Sequence, residues 1–201
     1  MRKFVVASKN LGKLNEIKEI LKDFRFDVIS MGDVGISDDV EEIGSTFEEN
    51  AVIKAEKISE LTGEIVMADD SGLEVEYLNG APGIFSSRFA GEGATDAERV
   101  EKLLSMLSGV PHEKRKARFV CAIAVVFPDG KKLTVTGECK GYINERPIGE
   151  NGFGYDPIFY VPEYNITTAQ MKPEEKHKIS HRGNALRLMI AELEKEFGTK
   201  L

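Results

Sequence analysis

The sequence predicts an α/β fold with a mixed sheet flanked by helices, and two stretches carry that prediction. Near the N-terminus, residues 4–7 are continuously apolar, and Leu14, Ile17, Ile20, Leu21 and Phe24 recur at helical spacing. Residues 26–29 read as a second short strand. Strand, helix, strand in that order is the start of a crossover with parallel pairing. In the middle of the chain, residues 118–127 and 132–138 flank Pro128-Asp129-Gly130. Two strand-like runs around such a turn form a hairpin, which pairs antiparallel. Crossovers in one half and a hairpin in the next give a mixed sheet.

The helical spacing near the N-terminus predicts a helix over 12–23. Residues 31–44 are glycine-rich and acidic and read as a loop. Ser45-Thr46-Phe47-Glu48 has the form of a capping box and opens a helix over 46–61, which Gly63 stops. Residues 65–68 predict a short buried strand that ends on Asp69-Asp70-Ser71-Gly72. A separate half-buried strand then covers 73–77, where apolar and polar residues alternate. Residues 79–93 read as a long loop. Thr95-Asp96-Ala97-Glu98 is a second capping box, with Val100, Leu103, Leu104 and Leu107 on the apolar face of its helix. Residues 141–157 are rich in glycine and proline, and 158–161 form a short strand. Ser180 caps a last helix that runs to about residue 197 and ends at Gly198.

Composition narrows the function classes. With 201 residues and 41% hydrophobic content, the chain can bury a core, as one large domain or as two small lobes. No apolar run is long enough to span a membrane, and the first apolar stretch is too short for a signal peptide, so a cytoplasmic location is expected. A net charge of −7 provides no general basic field and argues against a nucleic-acid partner. Cys121 and Cys139 fall in predicted strands and read as buried thiols.

Several stretches could carry chemistry. Ser8-Lys9-Asn10-Leu11-Gly12-Lys13 lies between a strand and a helix. Such a turn aims backbone N–H groups and the positive end of a helix dipole at one point, which suits a phosphate chain. It is not a P-loop. Ser8 is one residue from the place of the first glycine, and Leu14 follows the lysine where a hydroxyl would hold magnesium. Any metal ligands must then lie elsewhere, and the acidic candidates are Asp69-Asp70 and Glu41-Glu42. Carboxylates of this kind suit magnesium, which prefers oxygen ligands and shares them with substrate phosphates. Each pair also has an ordinary reading, as a turn cap or as loop charge. Gly152-Phe153-Gly154-Tyr155-Asp156-Pro157 places aromatics among glycines, where a flat ligand could stack or where the rings simply pack inward. Lys176, His177, Lys178, His181 and Arg182 gather before and at the start of the last helix. Cations there oppose the helix dipole unless a ligand compensates.

Together these motifs resemble the inosine triphosphate pyrophosphatase, or Ham1-like, family of non-standard purine nucleoside triphosphate pyrophosphatases. The resemblance rests on six stretches in order: Ser8 to Lys13; Glu41-Glu42 with Thr46 to Ala51; Asp69 to Leu73; Gly80-Ala81-Pro82-Gly83; Gly152 to Pro157; and Ser180-His181-Arg182-Gly183. One departure is Ser8-Lys9, where many relatives have Thr-Gly; both keep a hydroxyl. The resemblance implies hydrolysis of ITP, dITP and XTP to the monophosphate and pyrophosphate. It also implies an Mg2+ requirement, a homodimer, and an elongated α/β fold with a cleft between two lobes. On this resemblance Ser8, Lys9, Asn10, Leu11, Gly12 and Lys13 would hold the triphosphate, with Lys13 adding catalytic charge stabilisation. Glu41 and Asp70 would hold magnesium, and Asp70 would also serve as base. Ser71 would contact substrate. Phe153, Gly154, Tyr155, Asp156, Lys176, His181 and Arg182 would form the base pocket. Two rivals stand beside this reading: a Maf-like pyrophosphatase of pyrimidine or modified nucleotides, and a nucleotide-binding sensor without turnover.

Overall fold

In a computed structural model, residues 2–8, 14–15, 17–18, 21–22, 26–37 and 40–198 are described. The predicted phosphate turn from Lys9 to Lys13 lies outside them, as does part of the helix predicted over 12–23. Within that helix Leu14, Asn15, Ile17 and Lys18 are helical, and Leu14 and Ile17 are buried.

The seven strands are β1 (Arg2–Val6), β2 (Phe26–Ser30), β3 (Ile65–Val75), β4 (Lys116–Val126), β5 (Lys132–Ile143), β6 (Phe159–Val161) and β7 (Ile166–Thr167). Their order in the sheet is β2-β1-β3-β4-β5-β6-β7. β1 pairs parallel with β2 and β3, with Phe4 opposite Val28 and Ile65. β6 pairs antiparallel with β5 and β7. The sheet is therefore mixed, as the sequence predicts. The turn between β4 and β5 closes through Gly130 N–H donating to the Phe127 carbonyl (2.9 Å) and Phe127 N–H to the Lys131 carbonyl (2.9 Å). Gly130 adopts φ +85°, which a residue with a side chain rarely does.

The chain divides into two units. The first comprises residues 1–70, 121–137 and 185–201, and the second 71–120 and 138–184. Each has its own core. The first packs Phe4, Val6, Met67, Ile123 and Val125 with Leu186, Met189 and Leu193. The second packs Leu73, Leu103, Leu107, Phe119, Ile143, Ile158 and Phe159. Both cysteines are buried, and burial pushes the Cys139 thiol up to about 11. Among the described residues no helix is long and apolar enough to cross a membrane.

The helices that bear on the candidate site are α1 (Phe47–Thr62), α2 (Asp96–Met106), α3 (Pro173–Ile179) and α4 (His181–Phe197). Three sequence expectations need correction here. The cap of α1 is Thr46, not Ser45. Thr46 Oγ1 accepts from Glu49 N–H (3.1 Å), while Glu49 Oε2 accepts from Ser45 N–H and Ser45 Oγ (both 2.7 Å). Two hydroxyls side by side fit the motif in either register, and Glu49 decides it. Next, residues 65–77 are not two strands broken at Asp69-Asp70-Ser71-Gly72. β3 runs unbroken from Ile65 to Val75, and Tyr77 lies beyond it in a single 3-10 turn. Polar side chains interrupt an apolar run, but a strand is held through its backbone and continues past them. Finally, Lys176, His177 and Lys178 do not precede the last helix as a loose cluster. They form the last turn of α3, where cations complement the helix dipole instead of opposing it.

Arg115, 5% exposed, secures the end of α2. Its guanidinium donates to the carbonyls of Leu107 (2.9 Å) and Val110 (2.9 Å), in the segment after the helix, and of Asn144 (3.2 Å), just past β5. The start of α2 carries a complete capping box. Thr95 Oγ1 accepts from Glu98 N–H (3.2 Å), and Glu98 Oε2 accepts from Thr95 N–H (2.7 Å) and Thr95 Oγ1 (2.8 Å).

Those bonds hold the Glu98 carboxyl below the usual glutamate value, with the Thr95 N–H the largest cause. A carboxylate depressed by folding adds stability above its unfolded pKa and loses it as pH falls through the folded value. Glu98→Gln should therefore melt below wild type at pH 7, with the gap closing as pH falls under 4.5. Equal melting temperatures at pH 7, measured by circular dichroism, would contradict this role for the capping box.

Candidate functional site

In the first unit the site is organised by the buried face of α1. Phe47, Asn50, Ala51, Ala55 and Ile58 are all buried, at helical spacing. Asn50 is fully buried among apolar neighbours, so both ends of its amide need partners. Its Oδ1 accepts from Gly44 N–H (2.8 Å), and its Nδ2 donates to Asp70 Oδ2 (3.0 Å). One side chain thus fastens the loop before α1 to the carboxylate on β3. Gly44 is needed for this approach, because a Cβ there would lie 2.7 Å from Asn50 Oδ1 and from Glu49 Cβ.

One helical turn later Lys54 does the same for the neighbouring residues. Its Nζ pairs with Glu42 Oε1 (2.6 Å) and donates to the Asp69 carbonyl (3.2 Å). Burial disfavours the charge on Lys54. The hydrogen bond and charge of Glu42, joined by Asp69 and Asp70, outweigh it and hold the ammonium above the ordinary lysine value. Asp69 and Asp70 are half-buried on β3, and Glu41 is exposed beside the anchored Glu42. Ser8 is half-buried just past β1, its N–H donating to the Val6 carbonyl (2.8 Å).

The first unit therefore brings Asp69 and Asp70 to the same two anchors as the segment from Glu41 to Gly44. Glu41 and Asp70 offer hard oxygen donors, the ligand type magnesium takes. Among the described residues no group of three or more histidines, cysteines or carboxylates could hold a metal ion. Asn50 and Lys54 escaped the sequence reading. Their signal was available: two polar residues interrupt the apolar stripe of α1 at positions 50 and 54, on its inner side.

In the second unit Asp156 is 3% exposed and fully engaged. It accepts from Phe153 N–H (2.9 Å), Thr168 Oγ1 (2.9 Å) and Lys176 Nζ (2.5 Å). A Cβ at Gly152 would strike this carboxylate, so the turn requires glycine there. Tyr155 is buried and its hydroxyl donates to the Ser86 carbonyl (2.9 Å), while burial pushes the phenol up to about 12. Phe153 points the other way. It is 61% exposed, with the Lys176 ammonium 5.2 Å from its ring centroid. Of the two aromatics in this turn, one is inward and one outward.

The His181 ring stacks on Phe119 at 4.8 Å and 17°. Ser180 caps α4 by accepting from Gly183 N–H (3.0 Å). Next along the chain from His181, Arg182 donates from Nη2 to Ser71 Oγ (3.3 Å). The second unit thus joins Ser71 with Arg182, and Phe153 and Asp156 with Lys176. Gly154 donates its N–H to Asp96 Oδ2 (2.7 Å). Asp96 is a further residue that sequence reasoning passed over, because the capping box at its position accounts for a carboxylate there.

The model of the Ham1 family matches residues 4–192. A dITP/XTP pyrophosphatase of Bacillus cereus is 52% identical over 189 residues, 93% of this chain and 92% of that protein. That of Bacillus subtilis is 47% identical over 194 residues, 96% and 98% of the two chains. The solved structure of the Staphylococcus aureus Ham1 protein superposes with a TM-score of 0.92 at 48% identity, covering 97% of this chain and all of that one. A Mycobacterium abscessus nucleoside-triphosphatase / dITP/XTP pyrophosphatase gives 0.82 at 43%, covering 95% and 99%. Matched along almost its whole length in sequence and in fold, this chain belongs to the Ham1 family.

Proposed function

We propose that this chain hydrolyses deaminated purine nucleoside triphosphates, ITP, dITP and XTP, to the monophosphate and pyrophosphate. The observation that carries this reading is the near-complete match to proteins named dITP/XTP pyrophosphatase. The anchored carboxylates of the first unit supply chemistry of the right kind. We further take the enzyme to be a cytoplasmic homodimer that removes such nucleotides from the pool.

In this reading Ser8 to Lys13 grip the triphosphate, and Lys13 offsets charge that develops as the bond breaks. Glu41 and Asp70 would hold magnesium. When bound, magnesium would neutralise the pyrophosphate leaving group and polarise the α-phosphate. Asp70 accepts a proton from the water that attacks the α-phosphorus, the bond to the bridging oxygen breaks, and pyrophosphate leaves. Asn50 fixes the orientation of Asp70. Lys54 adds positive charge beside both aspartates and keeps Glu42 in place. Phe153 offers an exposed face for stacking, Ser71 meets the substrate, and Lys176, His181 and Arg182 provide donors. Tyr155 and Asp156 support the pocket from behind.

Selectivity arises from donor and acceptor matching. Hypoxanthine and xanthine present O6 as an acceptor, whereas adenine presents an amino donor. A donor from Arg182 or His181 is satisfied by the first and opposed by the second, a mismatch worth about 10⁴-fold in favourable sites.

A substrate panel of dITP, XTP, GTP, ATP, UTP and TTP with Mg2+ tests the reading, with pyrophosphate and single phosphate measured separately. dITP and XTP should lead ATP and UTP by at least about 10²-fold, with pyrophosphate released. Preference for a pyrimidine, or release of single phosphate, would refute it. Asp70→Asn should lower kcat by at least about 10²-fold while substrate still binds, which calorimetry can follow. Lys54→Met should lower kcat/KM by about 10–100-fold, as loss of a residue behind the reacting groups does. Wild-type kinetics in either variant would remove that residue from the mechanism.

A further inference from the structure

Asp96 stands at the first turn of α2, yet the capping of that helix is complete without it, through Thr95 and Glu98. Its carboxylate is directed elsewhere. Oδ2 accepts from Gly154 N–H (2.7 Å), in the middle of the glycine turn, and Oδ1 pairs with Arg99. Arg99 in turn donates from Nη1 to the carbonyls of Ser87 (2.7 Å) and Ala94 (2.7 Å). Lys102 continues the same face, donating to the Phe89 carbonyl (2.6 Å). Residues at 96, 99 and 102 share one side of a helix, and here all three reach out to loop backbone.

Ser87, which Arg99 grips, lies in the segment Gly83–Arg88, and that segment is also fixed to β3. Leu73 N–H, two residues beyond Ser71, donates to the buried Ser86 Oγ (2.9 Å). The Ser86 carbonyl accepts from Tyr155 (2.9 Å). Hydrogen bonds, joined by the Ser86–Ser87 peptide link, therefore connect β3 beside Ser71 to Arg99, Asp96 and Gly154. The turn bearing Phe153 is held at two adjacent backbone positions: Phe153 N–H by Asp156 and Gly154 N–H by Asp96. Asp156 shapes the turn from within. Asp96 ties it to a different element.

We propose that Asp96, locked by Arg99, is a positioning residue for base recognition, setting the place of the Phe153–Gly154 turn relative to the substrate contact at Ser71. This rests on the function proposed above. Asp96 touches no reacting atom in that reading, so its removal should be felt in substrate binding and base choice rather than in the chemical step.

The test uses the full chain with Mg2+, comparing wild type, Asp96→Ala and Asp96→Asn for kcat, KM and the dITP/UTP ratio of kcat/KM. Loss of a charge-assisted bond in Asp96→Ala should raise KM for dITP by about tenfold with kcat within about twofold, and should lower the ratio. Asp96→Asn keeps an oxygen for Gly154 N–H but loses the charge, and should raise KM by about threefold. An unchanged KM in Asp96→Ala, or a fall in kcat without a rise in KM, overturns the inference. If Asp96→Ala does not fold, Asp96→Asn decides: a raised KM at full kcat supports the role, and a wild-type KM rejects it. A wild type that does not hydrolyse dITP would overturn both this role and the function beneath it. An active wild type with unaltered variants would overturn only the role of Asp96.

Discussion

Two polar side chains on the buried face of α1 hold the candidate carboxylates of the first unit. Asn50 spans Gly44 and Asp70, and Lys54 spans Glu42 and Asp69. Both sit where an apolar residue would pack without cost. A buried amide or ammonium is tolerated only when its bonds are made, so the helix, the loop before it and β3 must arrive together. The glycine at 44 belongs to the same constraint, since no other residue admits the Asn50 amide at that distance. Removing either anchor would delete its two bonds and loosen the tie between the acidic loop and β3.

The second unit solves a similar problem with backbone rather than with metal-type ligands. A turn containing Gly152 and Gly154 has little intrinsic stiffness. It is made rigid by carboxylates that accept its N–H groups, Asp156 from inside and Asp96 from α2. Tyr155 is drawn inward onto Ser86, which leaves Phe153 outward with Lys176 over its ring. In the function proposed above, this support would hold the exposed Phe153 face in one position for a base.

Much of the fold is legible in the sequence because its signals are local. The strand-helix-strand opening, the Pro128-Asp129-Gly130 turn, the capping box at Thr95 and the Ser180 cap all depend on a few adjacent residues. A break at Asp69-Asp70 does not occur because side-chain polarity says little about where a strand's backbone pairing ends. α3 escapes a sequence reading because seven mostly charged residues carry almost no apolar periodicity. The candidate site is legible as a set of residue types, and its motifs point to the family. Its supporting contacts are not, since Asn50–Asp70 and Asp96–Gly154 join positions far apart in sequence. Lys9 to Lys13, the most informative turn in the sequence, lie outside the described residues.

Asn50 assembles the carboxylate pair of the first unit by holding Asp70. The Mg2+ concentration giving half-maximal dITP hydrolysis measures this most directly, compared between wild type and Asn50→Ala. On the function proposed above, the variant should need at least about tenfold more Mg2+, with part of the rate recovered at saturation, as loss of a residue behind a metal ligand does. An identical Mg2+ dependence in the folded variant would contradict it.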